Sequence, residues 1–349
     1  MPQMPAVRLL KLKNWQQRKK ESEMLTKRQN LIEVMKGGNP DRFVKQYEAF
    51  ALMMKTPISR LKPPVGGTIV NEWGVTLSWP EGQLGSFPVH DEEHIVIKDI
   101  TKWRDYVKAP KLDYPDEAWA TAIADANAVD RNDQYVTVFV APGLFEHVHY
   151  LMSMEEALMA YYEEPEAMHE LIDYLVDFEL RLAEEFVKHL HPDAVFHHDD
   201  WGSQINSFVS PAMFKEFFEP AYKKIYGYYK ENGVELIVHH SDSYAANLVP
   251  SMIEMGIDIW QGVMNTNNIP ELIKQYGDKI TFMGGIHSGL VDFPTWTPEI
   301  VAEYVEKTCQ ENGKLHFIPS QTSGLPIDSF PGVYETINKE IDKMSEKMF

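Results

Sequence analysis

Two short stretches of the chain concentrate imidazole and carboxylate groups: His197-His198-Asp199-Asp200 and His239-His240-Ser241-Asp242. Neutral imidazole nitrogens and carboxylate oxygens are the donors that zinc or a similar divalent metal takes when thiolates are absent. The single cysteine, Cys309, excludes an intramolecular disulfide and any site built from several thiolates of this chain. Such groups also hydrogen-bond one another and cap helices, so one cluster alone leaves both readings open. Two clusters placed alike favour chemistry, and each directly follows a short apolar run, Ala194-Val195-Phe196 or Leu236-Ile237-Val238.

Those runs belong to a rhythm that starts near residue 134. Tyr135 to Val140 is a nearly continuous β-branched and aromatic stretch, as expected of a strand buried on both faces. A long helix follows from Pro165, with Met168, Leu171, Ile172, Leu175, Leu182, Phe186 and Leu190 as its inner stripe. Further strands are expected at Ile257 to Trp260, Ile280 to Met283 and Leu315 to Ile318, with helices between them and a closing helix from Pro331. Consecutive βα units without a G-x-G-x-x-G after a strand favour closure into a (β/α)8 TIM barrel over a doubly wound sheet. The active site of such a barrel lies at the carboxyl ends of its strands, where both clusters fall.

The chain reads as a single domain over 1–349 with an N-terminal helical extension over 1–60. Leu31, Val34 and Met35, then Tyr47, Phe50, Ala51 and Met54, have helical spacing on either side of Gly37-Gly38-Asn39-Pro40, which predicts two helices joined by a turn. Residues 63–110 read as an irregular layer with short strands such as Gly74 to Trp79. Met1 to Lys20 is polar and basic, unlike a signal peptide or membrane span, and a cytoplasmic location is the default expectation.

Composition narrows the partners. With 33 Lys and Arg against 52 Asp and Glu, the formal charge is −19, which argues against nucleic acid because phosphate recognition needs a basic face.

Other residues carry weaker signals. Glu219 precedes Pro220 at an expected helix kink, where its carboxylate either leaves the regular helical surface or is simply solvated. Trp73, Trp79, Phe139, Phe145, Trp201 and Trp260 are candidates for an apolar pocket, although most aromatics pack in cores.

The ordered motifs Asp199-Asp200-Trp201-Gly202-Ser203-Gln204, Ser210 to Glu216, Pro220 to Lys224 and His240-Ser241-Asp242 resemble the uroporphyrinogen decarboxylase superfamily. The opening Thr26-Lys27-Arg28-Gln29 and Gly38 to Arg42 are similar to its N-terminal segment. Within it, Trp73-Gly74-Val75, His94 to Ile100, Pro142 to His147 and Leu151 to Leu158 resemble the corrinoid-dependent methyltransferase component of anaerobic O-demethylase systems.

That resemblance implies methyl transfer from a methoxylated aromatic to the cobalt(I) of a corrinoid carried by a separate protein. It implies zinc at positions matching Gln204, Glu219 and His240, with Asp242 as another possible ligand. Asp200, His198 and His239 are then expected to orient ligands or deliver protons. His240 and Asp242 stand where coenzyme M methyltransferases of the superfamily have His-x-Cys, so their thiolate zinc site is absent. The alternative is a uroporphyrinogen-type decarboxylase. The arginine-rich motif that grips porphyrinogen carboxylates has no counterpart in Pro63-Pro64-Val65-Gly66-Gly67.

Overall fold

The computed structural model describes residues 24–349. Helix α1 (Lys27–Met35) opens on a capping box in which the Thr26 hydroxyl accepts from the Gln29 amide and the Gln29 side chain accepts from the Thr26 amide. The expected second helix is instead strand β1 (Phe50–Met53), paired in parallel with β5 (Tyr135–Val140). Phe50 stacks on Tyr135 at 5.8 Å, inside the barrel. Four residues are too few to display a two-residue alternation, so the helical spacing of Tyr47, Phe50, Ala51 and Met54 was coincidence. Of the expected 1–60 helical extension, the described part holds one helix and a barrel strand, and its first 23 positions lie outside the described residues.

Strands β2 (Thr68–Val70), β3 (Thr76–Ser78) and β4 (Phe87–Pro88) form a small antiparallel sheet, followed by α2 (Trp103–Tyr106) and α3 (Ala120–Asn127). After β5 come α4 (Leu144–Met152), α5 (Met154–Glu163), α6 (Pro165–Leu190), β6 (Ala194–His198), α7 (Pro211–Phe217), α8 (Glu219–Glu231) and β7 (Leu236–His240). The alternation runs on through α9 (Val249–Met255), β8 (Ile259–Val263), α10 (Ile269–Tyr276), β9 (Thr281–Ile286), α11 (Ser288–Val291), α12 (Pro298–Asn312), β10 (Phe317–Gln321) and α13 (Val333–Met348).

One sheet takes the order β1-β5-β6-β7-β8-β9-β10 with every pair parallel, giving a TIM-barrel-like α/β fold. It has seven strands where eight were expected. Side chains span the interval between β10 and β1: Gln46 Nε2 donates to the Ser323 carbonyl at 2.9 Å and the Tyr47 hydroxyl to that of Gly324 at 3.0 Å.

Two apolar layers follow from strand parity. Phe50, Tyr135, Phe196, Val238, Ile259, Met283 and Ile318 fill the barrel interior, while a larger core lies between sheet and helices. Because side chains alternate along a strand, the inward Phe196 and Val238 place His198 and His240 inward as well. His197 and His239 then face the helices. No helix among the described residues is long and apolar enough to cross a membrane.

Candidate metal centre and an aromatic cavity

Strands β6 and β7 run in register, so His198 lies directly beside His240 and His197 beside His239. The two inward rings are 4.4 Å apart. Asp200, just past the end of β6, brings its Oδ1 to 3.7 Å from His240 Nε2 and accepts from the Asp242 amide at 3.0 Å. One ligand atom from each of His198, Asp200 and His240 falls within a common 4.8 Å.

Each imidazole has a partner that orients it. Gln261 on β8 sits opposite His240 and donates its amide nitrogen to the Ser323 carbonyl at 3.1 Å. Its Oε1 must then face His240 Nδ1, which carries the hydrogen, so the Nε2 lone pair points toward Asp200. His198 Nδ1 is 2.9 Å from Glu146 Oε2, which fixes the orientation of its ring. Gly324 passes so close that a Cβ there would lie 3.0 Å from His240 Nε2 and 3.2 Å from the His198 ring.

Burial, then the neighbouring His198, pushes His240 down to about 4, so its ring is neutral near pH 7. His198 is lowered by burial and by the charge of Arg60, against the pull of Asp200. Glu146 is raised well above the usual carboxylate range by burial and by Asp200. Asp242, although its surface is exposed, is raised by the crowding around its carboxyl group and by the charges of Asp200 and Glu146. Three crowded carboxyl groups around two neutral imidazoles form a donor set that a divalent cation satisfies. The residues present therefore fit a metal, held by His198, Asp200 and His240.

Behind the cluster, Asp199 is fully buried and accepts four hydrogen bonds. The donors are the Phe145 amide at 3.0 Å, the Glu146 amide at 2.8 Å, Trp201 Nε1 at 2.8 Å and the Tyr222 hydroxyl. Burial and the Glu146 charge push Asp199 up to about 7, against these donors. This carboxylate clamps the first turn of α4, the turn that carries Glu146 to His198. A Cβ on Gly143 would stand 2.4 Å from that of Asp199, so the close approach needs glycine.

Other expected ligands lie elsewhere. Glu219 starts α8 and accepts from the Ser251 hydroxyl at 2.7 Å, tying α8 to α9 in the helical layer. The break at Phe218 between α7 and α8 turns its carboxylate toward a neighbouring helix, not toward the strand ends. Gln204 is exposed on the loop after β6. Asp242 contributes its backbone amide to Asp200, and its carboxylate is not among the three grouped ligands. His239 points outward, stacks on Trp201 at 3.8 Å and places Nδ1 2.8 Å from the Tyr226 hydroxyl. Glu219→Gln is expected to cost about 1 kcal/mol of stability and to leave metal content unchanged, as read by urea unfolding and elemental analysis.

A cavity of about 140 Å³, lined by none of His198, Asp200 and His240, has Trp73, Phe139, Tyr150, Phe178 and Arg60 in its wall. The charge of Arg60 in that wall is felt by Glu146 and His198. Phe139 stacks on Phe196, whose ring is 6.1 Å from His240. Of the aromatics singled out in the sequence, Trp73 and Phe139 line this cavity, while Phe145, Trp201 and Trp260 are buried core residues. Sequence reasoning missed Glu146 and Gln261: one acts from a helix, and the other is a neutral amide whose role depends on its register beside His240.

A methyltransferase from Methanosarcina mazei shares this fold, with a TM-score of 0.64 at 12% identity over 92% of this chain and 99% of its own. A D-allulose 3-epimerase from Methylomonas sp. is more distant, with a TM-score of 0.33 at 11% identity over 67% of this chain and 93% of its own. No curated protein matches the chain. Residues 68–343 match the family described as uroporphyrinogen decarboxylase (URO-D), most of the barrel and its covering sheet, and the chain belongs to that family.

Proposed function

We propose that the protein transfers a methyl group from a methoxylated aromatic to the cobalt(I) of a corrinoid carried by a separate protein, with a divalent metal, zinc, at its centre. The observation that carries this reading is the grouping of His198, Asp200 and His240 at the strand ends, and the aromatic-walled cavity in the same chain is consistent with an aromatic donor. The corrinoid and the aryl ether rest on the motif resemblance, and the methyltransferase with the same fold is compatible with them.

Phenyl methyl ethers are poor methyl donors because a phenolate leaves reluctantly. A metal at this position supplies Lewis-acid withdrawal of charge from the ether oxygen. Gln261 and Glu146 orient the two imidazoles, and Asp200 would contribute the anionic ligand. Trp73, Phe139 and Tyr150 position the ring and exclude water. The methyl carbon leaves oxygen for cobalt, and the carbon–oxygen bonding pair stays on the phenolate.

The test is methylation of free cob(I)alamin by the zinc-loaded protein across methoxylated aromatics, methylamines and methanol, followed by absorbance. Methylcobalamin is expected in amounts equal to the phenol released, from the aromatic ethers alone. Transfer from no aryl ether would overturn the proposal.

Arg60, Lys62 and Lys111 in the cavity wall favour a second reading, decarboxylation of a carboxylated substrate. Carbon dioxide release from a porphyrinogen without cob(I)alamin would establish it.

A further inference from the structure

Glu179, on α6, is 3% exposed, yet it forms part of the cavity wall. Its Oε1 has no hydrogen-bond partner among the described residues. An unsatisfied buried acceptor costs free energy unless a ligand supplies a donor.

The surrounding hydrogen bonds fix what Glu179 can do. His239 Nε2 lies 3.2 Å from the Asp199 carbonyl, which only accepts, so this nitrogen carries the hydrogen and Nδ1 has the lone pair. The Tyr226 hydroxyl, 2.8 Å away, must donate to that Nδ1. Its oxygen is then free to accept from His197 Nδ1 at 2.9 Å. His197 Nε2 lies 3.3 Å from Glu179 Oε2 but makes no hydrogen bond, so the Glu179 carboxyl group has no hydrogen-bond donor among the described residues and Oε1 remains an open acceptor.

Charge selects among possible donors. A cationic ligand would meet Arg60, Lys62 and Lys111 in the same cavity, and an anion would meet Glu179. A neutral hydroxyl on an aromatic ring avoids both penalties and uses the aromatic wall of Trp73, Phe139 and Phe178. We infer that Glu179 is a specificity-determining subsite for a hydroxyl group on the aromatic ligand of this cavity. The inference rests on the proposed function only in taking the ligand to be aromatic.

The experiment compares 2-methoxyphenol with 2-methoxytoluene, in which a methyl group of similar size replaces the hydroxyl. Binding to the full-length protein is followed by calorimetry and by the fluorescence change of Trp73, without corrinoid. The phenol is expected to bind about 10- to 100-fold more tightly. Glu179→Gln should keep that preference, because its amide can donate to His197 Nε2 and leave Oε1 as acceptor. Glu179→Leu should abolish it while retaining affinity for 2-methoxytoluene, which also reports that the cavity is intact. No preference in the wild type, no binding of either compound, or an unchanged preference in Glu179→Leu would overturn the inference. Methyl transfer measured in parallel separates the two readings, since a binding preference without transfer sinks only the proposed reaction.

Discussion

His240→Ala is expected to abolish metal retention and to lower methyl transfer by about 10³-fold, corresponding to the several kcal/mol that a Lewis acid supplies at a developing negative charge. His240 is buried at the end of β7, with Nδ1 committed to Gln261 and Nε2 facing Asp200. Alanine removes one of three ligand groups, and the remaining His198 and Asp200 cannot hold the ion alone. Gln261→Leu leaves the imidazole but frees its tautomer, for an expected loss of about 10- to 100-fold in metal affinity or rate. Elemental analysis and single-turnover transfer check both variants. Full metal content in His240→Ala would refute the ligand assignment.

Asp199→Ala is expected to cost about 3–5 kcal/mol of stability, because four buried donors lose their acceptor while relief from burying the carboxylate offsets only part of that loss. Those donors come from α4, Trp201 and Tyr222, so the substitution loosens the junction between β6, α4 and α8. Urea unfolding monitored by circular dichroism reads the loss directly. Asp199→Asn keeps one acceptor oxygen and should lose roughly half as much. Methyl transfer by folded Asp199→Asn should also fall by about 10-fold, because the α4 turn no longer fixes Glu146 against His198.

The barrel was legible where strands are buried on both faces. Val136 to Val140, Val195 and Phe196, and Leu236 to Val238 are apolar because interior residues and helices cover their two sides. Phe50–Met53 was not legible: it is short, and Phe50 is its one fully buried residue. The strand-end rule pointed to the two clusters that contain His198, Asp200 and His240: the two histidines are the last residues of their strands, and Asp200 lies two residues beyond His198. It could not separate His198 from His197 or His240 from His239 without the inward parity of Phe196 and Val238. Glu219, singled out by the Pro220 kink and made a ligand by the family resemblance, bonds Ser251 in the helical layer instead, because a shared motif order does not fix where a side chain points across a helix break. Glu146 and Gln261 depend on contacts made between elements far apart in sequence, which spacing does not encode.

Single-turnover methyl transfer from a methoxylated aromatic to cob(I)alamin, measured before chelation, after chelation and after zinc is restored, tests the account most directly. Loss of transfer on chelation, recovery with one zinc per chain, and no recovery in His240→Ala are the expected results. Undiminished transfer by metal-free protein would contradict the metal centre and the mechanism built on it.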